Sequence, residues 1–467
     1  MPRLKITETV LRGAQESLAN ARMTTAEMVP ILPILDKVGY HSLDAWGGAT
    51  FDTCLRYLNE DPWKRLRIIR ANVRNTKLMM VLGGQCLLGY SHYPDDIVQF
   101  FVQKSIANGI DILRMYDPLN DVRNLEVPIR AAKREKATVQ GTICCTGENA
   151  DNGKYYLDYA KKLLDLGADS ICIQDTAGLL RPYSAYQIIK TLKAYDPNIQ
   201  IQLSTHYTSG LASMTVLKAV EAGLDIVDTA ISPFSLGASQ LSTETILSTL
   251  RKTPYETELD TYALNQAAEY FTSIKLRYLR TGQMNERIFD TNVSALETGV
   301  SGEMQHHVQK RLRQAKKESR FEEVMEEIPR ILADAGHVPL VSPIYEIIGT
   351  QAIINVLTGE RYKVVSTDFR ELIRGSYGTL PSPISRDFQR KIVKDGQIVT
   401  ERPALQLAPA VEKYRIQAAP YAEQEEDLLS LALFEQSATQ FFEWRKKQRY
   451  NLDGRGRVSS KSAVHPI

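Results

Sequence analysis

The chain has 467 residues, 43% hydrophobic and 24% charged, with 57 Lys plus Arg against 55 Asp plus Glu. At roughly 100–200 residues per domain, this length gives two or three domains, or one large barrel with an appendage, and the composition excludes a mainly disordered chain. A net charge of +2 offers no electrostatic case for nucleic acid or an anionic membrane as the main partner.

The opening MPRLKITETVLRGAQESL lacks the apolar run of a signal peptide, and no later stretch approaches the ~18 uninterrupted apolar residues of a membrane span, so no membrane insertion and a cytoplasmic location are expected. Short β-rich runs then recur, each followed by a longer amphipathic stretch. They are LKIT (4–7), HSLDAW (41–46), LMMVLG (78–83), ILRMY (112–116), TVQGTICC (138–145), SICIQD (170–175), IQIQLST (199–205) and IVDTAI (226–231). The intervening segments, among them TTAEMVPILPILDKV, DTCLRYLNEDPWKRLRIIRANV and YPDDIVQFFVQKSIANG, place apolar residues at three- and four-residue intervals, the pattern of helices packed on one face.

Strands alternating with single helices imply a parallel sheet with right-handed crossovers, and eight such periods match an α/β architecture of the closed (β/α)8 type, a TIM barrel. No GxGxxG follows the first strand, which disfavours an open doubly wound sheet. Beyond Leu241 helix patterns dominate, at 259–279, 322–336, 344–359 and 427–448. The expected organisation is therefore a barrel over residues 1–300, a mainly helical C-terminal domain over 301–453 and a polar, flexible tail over 454–467. Five cysteines (Cys54, Cys86, Cys144, Cys145, Cys172), an odd number without CxxC spacing, read as buried thiols rather than disulfides or a zinc ribbon.

The active site of such a barrel lies at the carboxyl ends of its strands. The residues to inspect there are Arg12, Gly13, Asp44, Asp52, Gly83 to Gln85, Arg114, Asp117, Gln174, Asp175, Ser204, His206 and Ser232. They form a polar, mixed set that names no reaction. Carboxylates and guanidiniums at strand ends serve as caps and mutual partners as readily as they serve chemistry.

The runs ITETVLRGAQESLANARMTT, DAWGGATFDTCLRYLNEDPWKRLRIIR, GYSHYPDDIV, ILRMYDPLND, GADSICIQDTAGLL, THYTSGL and VPLVSPIYEIIGTQAIINVLTGERYKVV closely resemble the carboxyltransferase component of biotin-dependent enzymes. Members of that family include the B subunit of two-subunit pyruvate carboxylase, the alpha subunit of oxaloacetate decarboxylase and the barrel subunit of transcarboxylase. The resemblance runs from about Leu4 to Asp453. It implies a divalent metal that polarises the oxo group of pyruvate or oxaloacetate while CO2 passes between the enolate carbon and biotin. It also implies metal ligands from an Asp after the first strand, a carbamylated Lys and an HxH pair, whose alternate imidazoles point the same way from one strand.

This sequence departs from the family pattern at most of those positions. Gly13 stands in place of the Asp ligand, Gln174 in place of the carbamylated Lys and Ser204 in place of the first His, leaving His206 as the retained ligand. One imidazole does not hold a catalytic divalent ion, since such sites use about three protein ligands. Gly83 replaces an Arg expected on the substrate carboxylate, Glu16 replaces a Gln expected on the oxo acid, and in SGEMQHH His306 takes the place of the proton-shuttling hydroxyl residue, with His307 following it. The resemblance keeps Arg12, Asp52 and Tyr90 on the substrate side of the pocket.

The expected function is a carboxyltransferase-like protein of a biotin-dependent carboxylase or decarboxylase system, catalytically impaired and acting in assembly, regulation or ligand binding, with no cofactor of its own. The alternative is an active carboxyltransferase with a rewired site, using a divalent metal and biotin on a separate carrier chain. No biotinylation motif of the MKM type occurs up to Ile467. The expected partners are therefore biotin carrier and biotin carboxylase subunits or an intact paralogue, in a homo- or heterodimer. A metal-dependent aldol or Claisen enzyme of the wider barrel superfamily is disfavoured by the same losses, and nucleic-acid binding through the basic tail is disfavoured by the overall charge balance.

Overall fold

The computed structural model describes residues 3–146, 151–394 and 396–450; the predicted tail at 454–467 lies outside them. Eight parallel strands close a barrel in sequence order: β1 Lys5–Glu8, β2 Ser42–Gly47, β3 Lys77–Leu82, β4 Ile112–Met115, β5 Thr138–Cys144, β6 Ser170–Asp175, β7 Gln200–Thr205 and β8 Ile226–Thr229. Closure is made by β1 on β8, with Lys5 opposite Ile226 and Glu8 opposite Thr229. The TIM barrel expected from the eight strand periods is thus the observed fold.

Alternation along the strands divides the core. Outward residues such as Ile6, Leu43, Leu113, Val139, Ile171, Ile173, Ile201, Leu203 and Val227 are buried under the surrounding helices. Inward residues form a polar ladder instead of the usual branched apolar layers. Thr7 bonds to Ser42 at 2.9 Å, Gln202 donates to Thr7 at 3.0 Å, Gln140 donates to Gln202 at 2.8 Å and Arg114 donates to Gln140 at 2.6 Å. Asp228 receives both terminal nitrogens of Arg114, a bidentate pair with both side chains essentially inaccessible.

Two of the expected helices are interrupted where backbone chemistry or packing demands it. The stretch 52–73 divides into Ala49–Thr53, a π turn Cys54–Leu58 and Pro62–Asn72, because Pro62 has no amide hydrogen and is tolerated only at a helix start, where Asp61 caps Trp63. The stretch 427–448 divides at Phe434 into Asp427–Leu433 and Glu435–Tyr450. Phe434 has left helical geometry (φ −141°, ψ 63°) and its ring centroid stands 5.9 Å from that of Phe51.

The helical half has two attachments. Helices Gly302–Gln314, Phe321–Asp334, Ile344–Thr358 and Thr367–Arg374 enclose their own core of Val300, Met304, Ile328, Ile331, Ile348 and Phe369, joined by Cys86 and Leu119 from barrel loops. The last two helices return to the barrel and share its core through Leu429, Phe434 and Phe442. There Trp63 donates its indole N–H to Ser430 at 3.1 Å. All five cysteines are free and buried. No described helix is long and apolar enough to cross a membrane.

Candidate active site at the barrel mouth

The carboxyl ends of the strands open onto a cavity of about 120 Å³, roofed by residues 341–346 of the helical half, and this joins a wider vestibule of about 700 Å³. Tyr116, just past β4, donates its hydroxyl to the carbonyl of Ser342 at 3.1 Å and ties roof to barrel.

Two glycines shape the near wall. Gly47 and Gly48 both have positive φ, 98° and 54°, conformations that a side chain would strain. A Cβ on Gly48 would stand 2.8 Å from the Glu16 carboxylate, so glycine leaves the room in which Glu16 sits. Glu16 receives Arg12 at 3.1 Å and the Ala49 amide at 3.3 Å. Arg12 in turn grips Asp44 through Nε, at 2.7 and 2.8 Å, and through a terminal nitrogen at 2.6 Å. Burial works against the Arg12 cation, but Asp44 and Glu16 outweigh it and hold the guanidinium firmly protonated. This guanidinium is thus paired with two carboxylates of the protein.

The positions where the resemblance places metal ligands line one cavity, but Gly13 brings no ligand atom and Gln174 and Ser204 bring only neutral oxygens. A Cβ at Gly13 would stand 3.1 Å from Asp44 Oδ2 and 3.7 Å from Gln240 Nε2, so a side chain there requires Asp44 to give by a few tenths of an ångström. Gln174 reaches from the end of β6 and donates to Thr176 at 3.3 Å, while its Oε1 is buried without a hydrogen-bond partner. Ser204 lies near Asp228 and helps hold that carboxylate below its ordinary pKa. His206 is present, yet its Nε2 stands 3.1 Å from the Gln240 amide nitrogen. The Thr9 and Ser239 hydroxyls lie 3.0 Å from Gln240 Oε1, but each has one proton and stands nearer a backbone carbonyl, Thr229 at 2.9 Å and Phe234 at 2.8 Å, so which way the amide faces follows the imidazole's tautomer. His206 is thus hydrogen-bonded at Nε2 to the Gln240 side chain. Burial drives its pKa down to about 4, against the opposing pull of Asp175 and of its hydrogen bond to the Ala238 backbone.

The divalent ion implied by the resemblance does not fit this donor set. Glycine offers no ligand atom, Gln174 and Ser204 offer neutral oxygens, and the one imidazole is hydrogen-bonded at Nε2 to Gln240. Among the described residues, no group of three or more His, Cys, Asp or Glu side chains is placed to hold a metal.

The remaining predicted residues divide between chemistry and scaffolding. Asp175 accepts the amides of Leu179 and Leu180 and the Thr205 hydroxyl, at 2.8 to 2.9 Å. Asp117 likewise accepts the amides of Leu119 and Asp121 and the Asn124 side chain. Both carboxylates fold the loop after their strand. Gly83 has Tyr116 beside it: a Cβ there would stand 3.4 Å from the Tyr116 hydroxyl and 3.1 Å from the Leu87 carbonyl. Asp52 pairs with Arg56 at 2.9 Å in the vestibule, where Tyr90 is half exposed. His306 lines the vestibule and not the inner cavity, so it does not stand beside His206.

Three participants carry little or no signal in the sequence. Gln240 lies beyond the last strand in a loop without periodicity, Glu346 arrives from the helical half, and Asp228 sits inside a strand legible only for its apolar content. A polar residue at an inward strand position is the available signal for Asp228. For Gln240 and Glu346 there is none.

Comparison with known proteins places this arrangement. Residues 299–463 match the model of a conserved carboxylase domain, and residues 98–271 match an HMGL-like model. The chain is 46% identical over 441 residues to the B subunit of pyruvate carboxylase from Methanocaldococcus jannaschii, covering 94% of this chain and 77% of that one. It is 42% identical over 457 residues to the methylmalonyl-CoA carboxyltransferase 5S subunit of Propionibacterium freudenreichii subsp. shermanii, covering 96% and 89%. The carboxyl transferase domain of Rhizobium etli pyruvate carboxylase, whose structure has also been solved with pyruvate and biocytin, superposes with a TM-score of 0.90 at 28% identity, covering 96% of this chain and 78% of that one.

Proposed function

The chain belongs to the carboxyltransferase family of biotin-dependent enzymes, and from that premise we propose that it is a homologue whose barrel no longer supports metal-assisted carboxyl transfer and serves assembly, regulation or ligand binding in a biotin-dependent carboxylase system. The observation that carries this reading is the engagement of His206 Nε2 by Gln240, beside Gly13, Gln174 and Ser204 at the other ligand positions. Enolising pyruvate needs an electrophile on the oxo group, and each lost electrostatic contact of this kind removes about 3–4 kcal/mol of transition-state stabilisation. Neutral His206, the internally paired Arg12 and the carboxylate of Glu16 supply no replacement positive charge.

Relatives named as subunits of pyruvate carboxylase and of methylmalonyl-CoA carboxyltransferase support a partner role. The partners in this reading are biotin carrier and biotin carboxylase subunits, or an intact paralogue in a barrel-to-barrel dimer. Metal analysis of the purified chain, joined to an oxaloacetate decarboxylation assay, tests the proposal. The expected result is substoichiometric metal and no turnover. Stoichiometric tightly bound metal with turnover overturns it.

The second reading, an active carboxyltransferase of rewired site, draws on the 46% identity to a pyruvate carboxylase component over nearly the whole chain. In that reading Glu16, Gln174, Asp175, His206 and His306 between them recruit another ion or supply an acid and a base, with biotin on a separate carrier chain.

A further inference from the structure

The vestibule outside the inner cavity carries cations that the protein leaves unpaired, and we propose that it binds a polyphosphate anion, free or carried by a nucleoside. The inference goes beyond the reading above and does not depend on it, because Arg22, Lys310 and Arg311 line the vestibule and none of them lines the inner cavity.

Two elements supply the charge. Helix Gly302–Gln314 starts against the barrel, where a Cβ on Gly302 would stand 3.2 Å from that of Ala238, and about two turns further along Lys310 and Arg311 reach the vestibule. The segment after helix Gly13–Ala19 brings Arg22, whose guanidinium carbon lies 4.3 Å from the ring centroid of Tyr57. Among the described residues no carboxylate stands within ion-pair distance of any of the three. A basic last turn suits the dipole of its own helix, but that preference does not bring Arg22 to the same space from another element.

The carboxylates of the vestibule leave this charge standing. Glu16 is paired with Arg12 and Asp52 with Arg56. Glu346 also lines the inner cavity, and Asp368 acts on Tyr377. The two imidazoles of the helix report the local sign. Burial and then Lys310 and Arg313 lower the pKa of His306, burial and then Arg311 and Lys310 bring that of His307 to about 4, and no carboxylate opposes them.

Size and shape narrow the ligand. The volume of about 700 Å³ suits a small organic anion, and the half-exposed rings of Tyr57 and Tyr90 offer flat surface for a base to stack on. A monocarboxylate matches one cation, whereas a polyphosphate carries several negative oxygens on one chain and matches an ammonium and two guanidiniums together.

Calorimetric titration of the full chain with tripolyphosphate, ATP and adenosine, in metal-free buffer at fixed ionic strength, tests this. The expected result is saturable binding of tripolyphosphate and ATP, weakened by about tenfold or more in the double variant Lys310→Gln with Arg311→Gln and also weakened in Arg22→Gln. Added salt should weaken it further, and adenosine should not bind. Lys316→Gln with Lys317→Gln removes two cations of the same basic run that lie outside the vestibule, and should change affinity by less than about twofold. Should the Lys310 and Arg311 double variant fail to fold, Arg22→Gln against the Lys316 and Lys317 variant still decides. ATP binding tighter than tripolyphosphate assigns the site to a nucleoside polyphosphate, and equal affinity assigns it to the polyphosphate chain alone. No saturable binding of either anion, adenosine binding as tightly as ATP, indifference to both vestibule variants, or an equal loss in the Lys316 and Lys317 variant overturns the inference. Metal content and turnover do not enter this result, so either proposal can fail alone.

Discussion

The side-chain amide of Gln240 stands 3.1 Å from Nε2 of His206 and closes that face of the imidazole. Burial favours the neutral imidazole, and Gln240 occupies its Nε2 side. That contact joins a residue at the end of a strand to a residue in a loop 34 positions later, and it decides what a retained histidine can do.

Stability should report the neutral His206 directly. Its folded pKa of about 4 lies below the ordinary 6.5, so the unfolded chain binds the proton more readily and the contribution is present above pH 6.5 and lost as pH falls towards 4. Urea denaturation of the wild type and of His206→Gln should show their difference shrinking across that window, by about 3 kcal/mol. A difference independent of pH would contradict a buried neutral imidazole.

Restoring the aspartate alone should harm the protein. A Cβ at position 13 meets the Asp44 carboxylate at 3.1 Å, so Gly13→Asp presses a second negative charge on the first and should destabilise by about 1–3 kcal/mol. Combined with Gln174→Lys and Ser204→His, the same change should bring Mn2+ binding measurable by calorimetry and regain stability when the ion is added. No binding by the triple variant would show that the ligand positions are misassigned.

The ion pair inside the barrel predicts a strong asymmetry. Asp228→Ala leaves Arg114 buried without its carboxylate and should cost about 3–5 kcal/mol in chemical denaturation. The double change Arg114→Met with Asp228→Leu should recover much of that loss, because it removes both desolvated charges.

The seam between the last helices and the barrel should matter for the barrel itself. Phe434 is nearly buried and packs on Phe51, and Ser430 accepts from Trp63. Phe434→Ala should lower stability by about 3–5 kcal/mol and shift Trp fluorescence, since Trp46 and Trp63 lie in the same aromatic cluster with ring centroids 5.0 Å apart. Unfolding in a separate early transition, with unchanged Trp emission, would show the helices to be independent of the barrel.

Much of this molecule is legible in one dimension. Runs such as SICIQD and IQIQLST correspond to β6 and β7 within a residue or two, because a parallel strand under helices buries its outward apolar side chains and so writes them into the sequence. Helix interruptions at Pro62 and Phe434 are less visible: the proline carries its own signal, but the break at Phe434, where the ring packs on Phe51, has no counterpart in the local sequence. The retained Asp117 and Asp175 cannot be assigned from sequence to scaffold or chemistry. Their contacts with loop amides assign them to the scaffold.

By itself the sequence determined the barrel, the family and the substitutions at Gly13, Gln174 and Ser204, since these depend on residue identity and local period. Only the tertiary structure decided what those substitutions left behind. Whether Arg12 is available, whether His206 keeps its lone pair and which carboxylates face the cavity are questions of distance between segments far apart in the chain. Hydrogen bonds and charges act over a few ångströms of space, and Gln240 and Glu346 reach the site only after the barrel has closed and the helical half has folded over it.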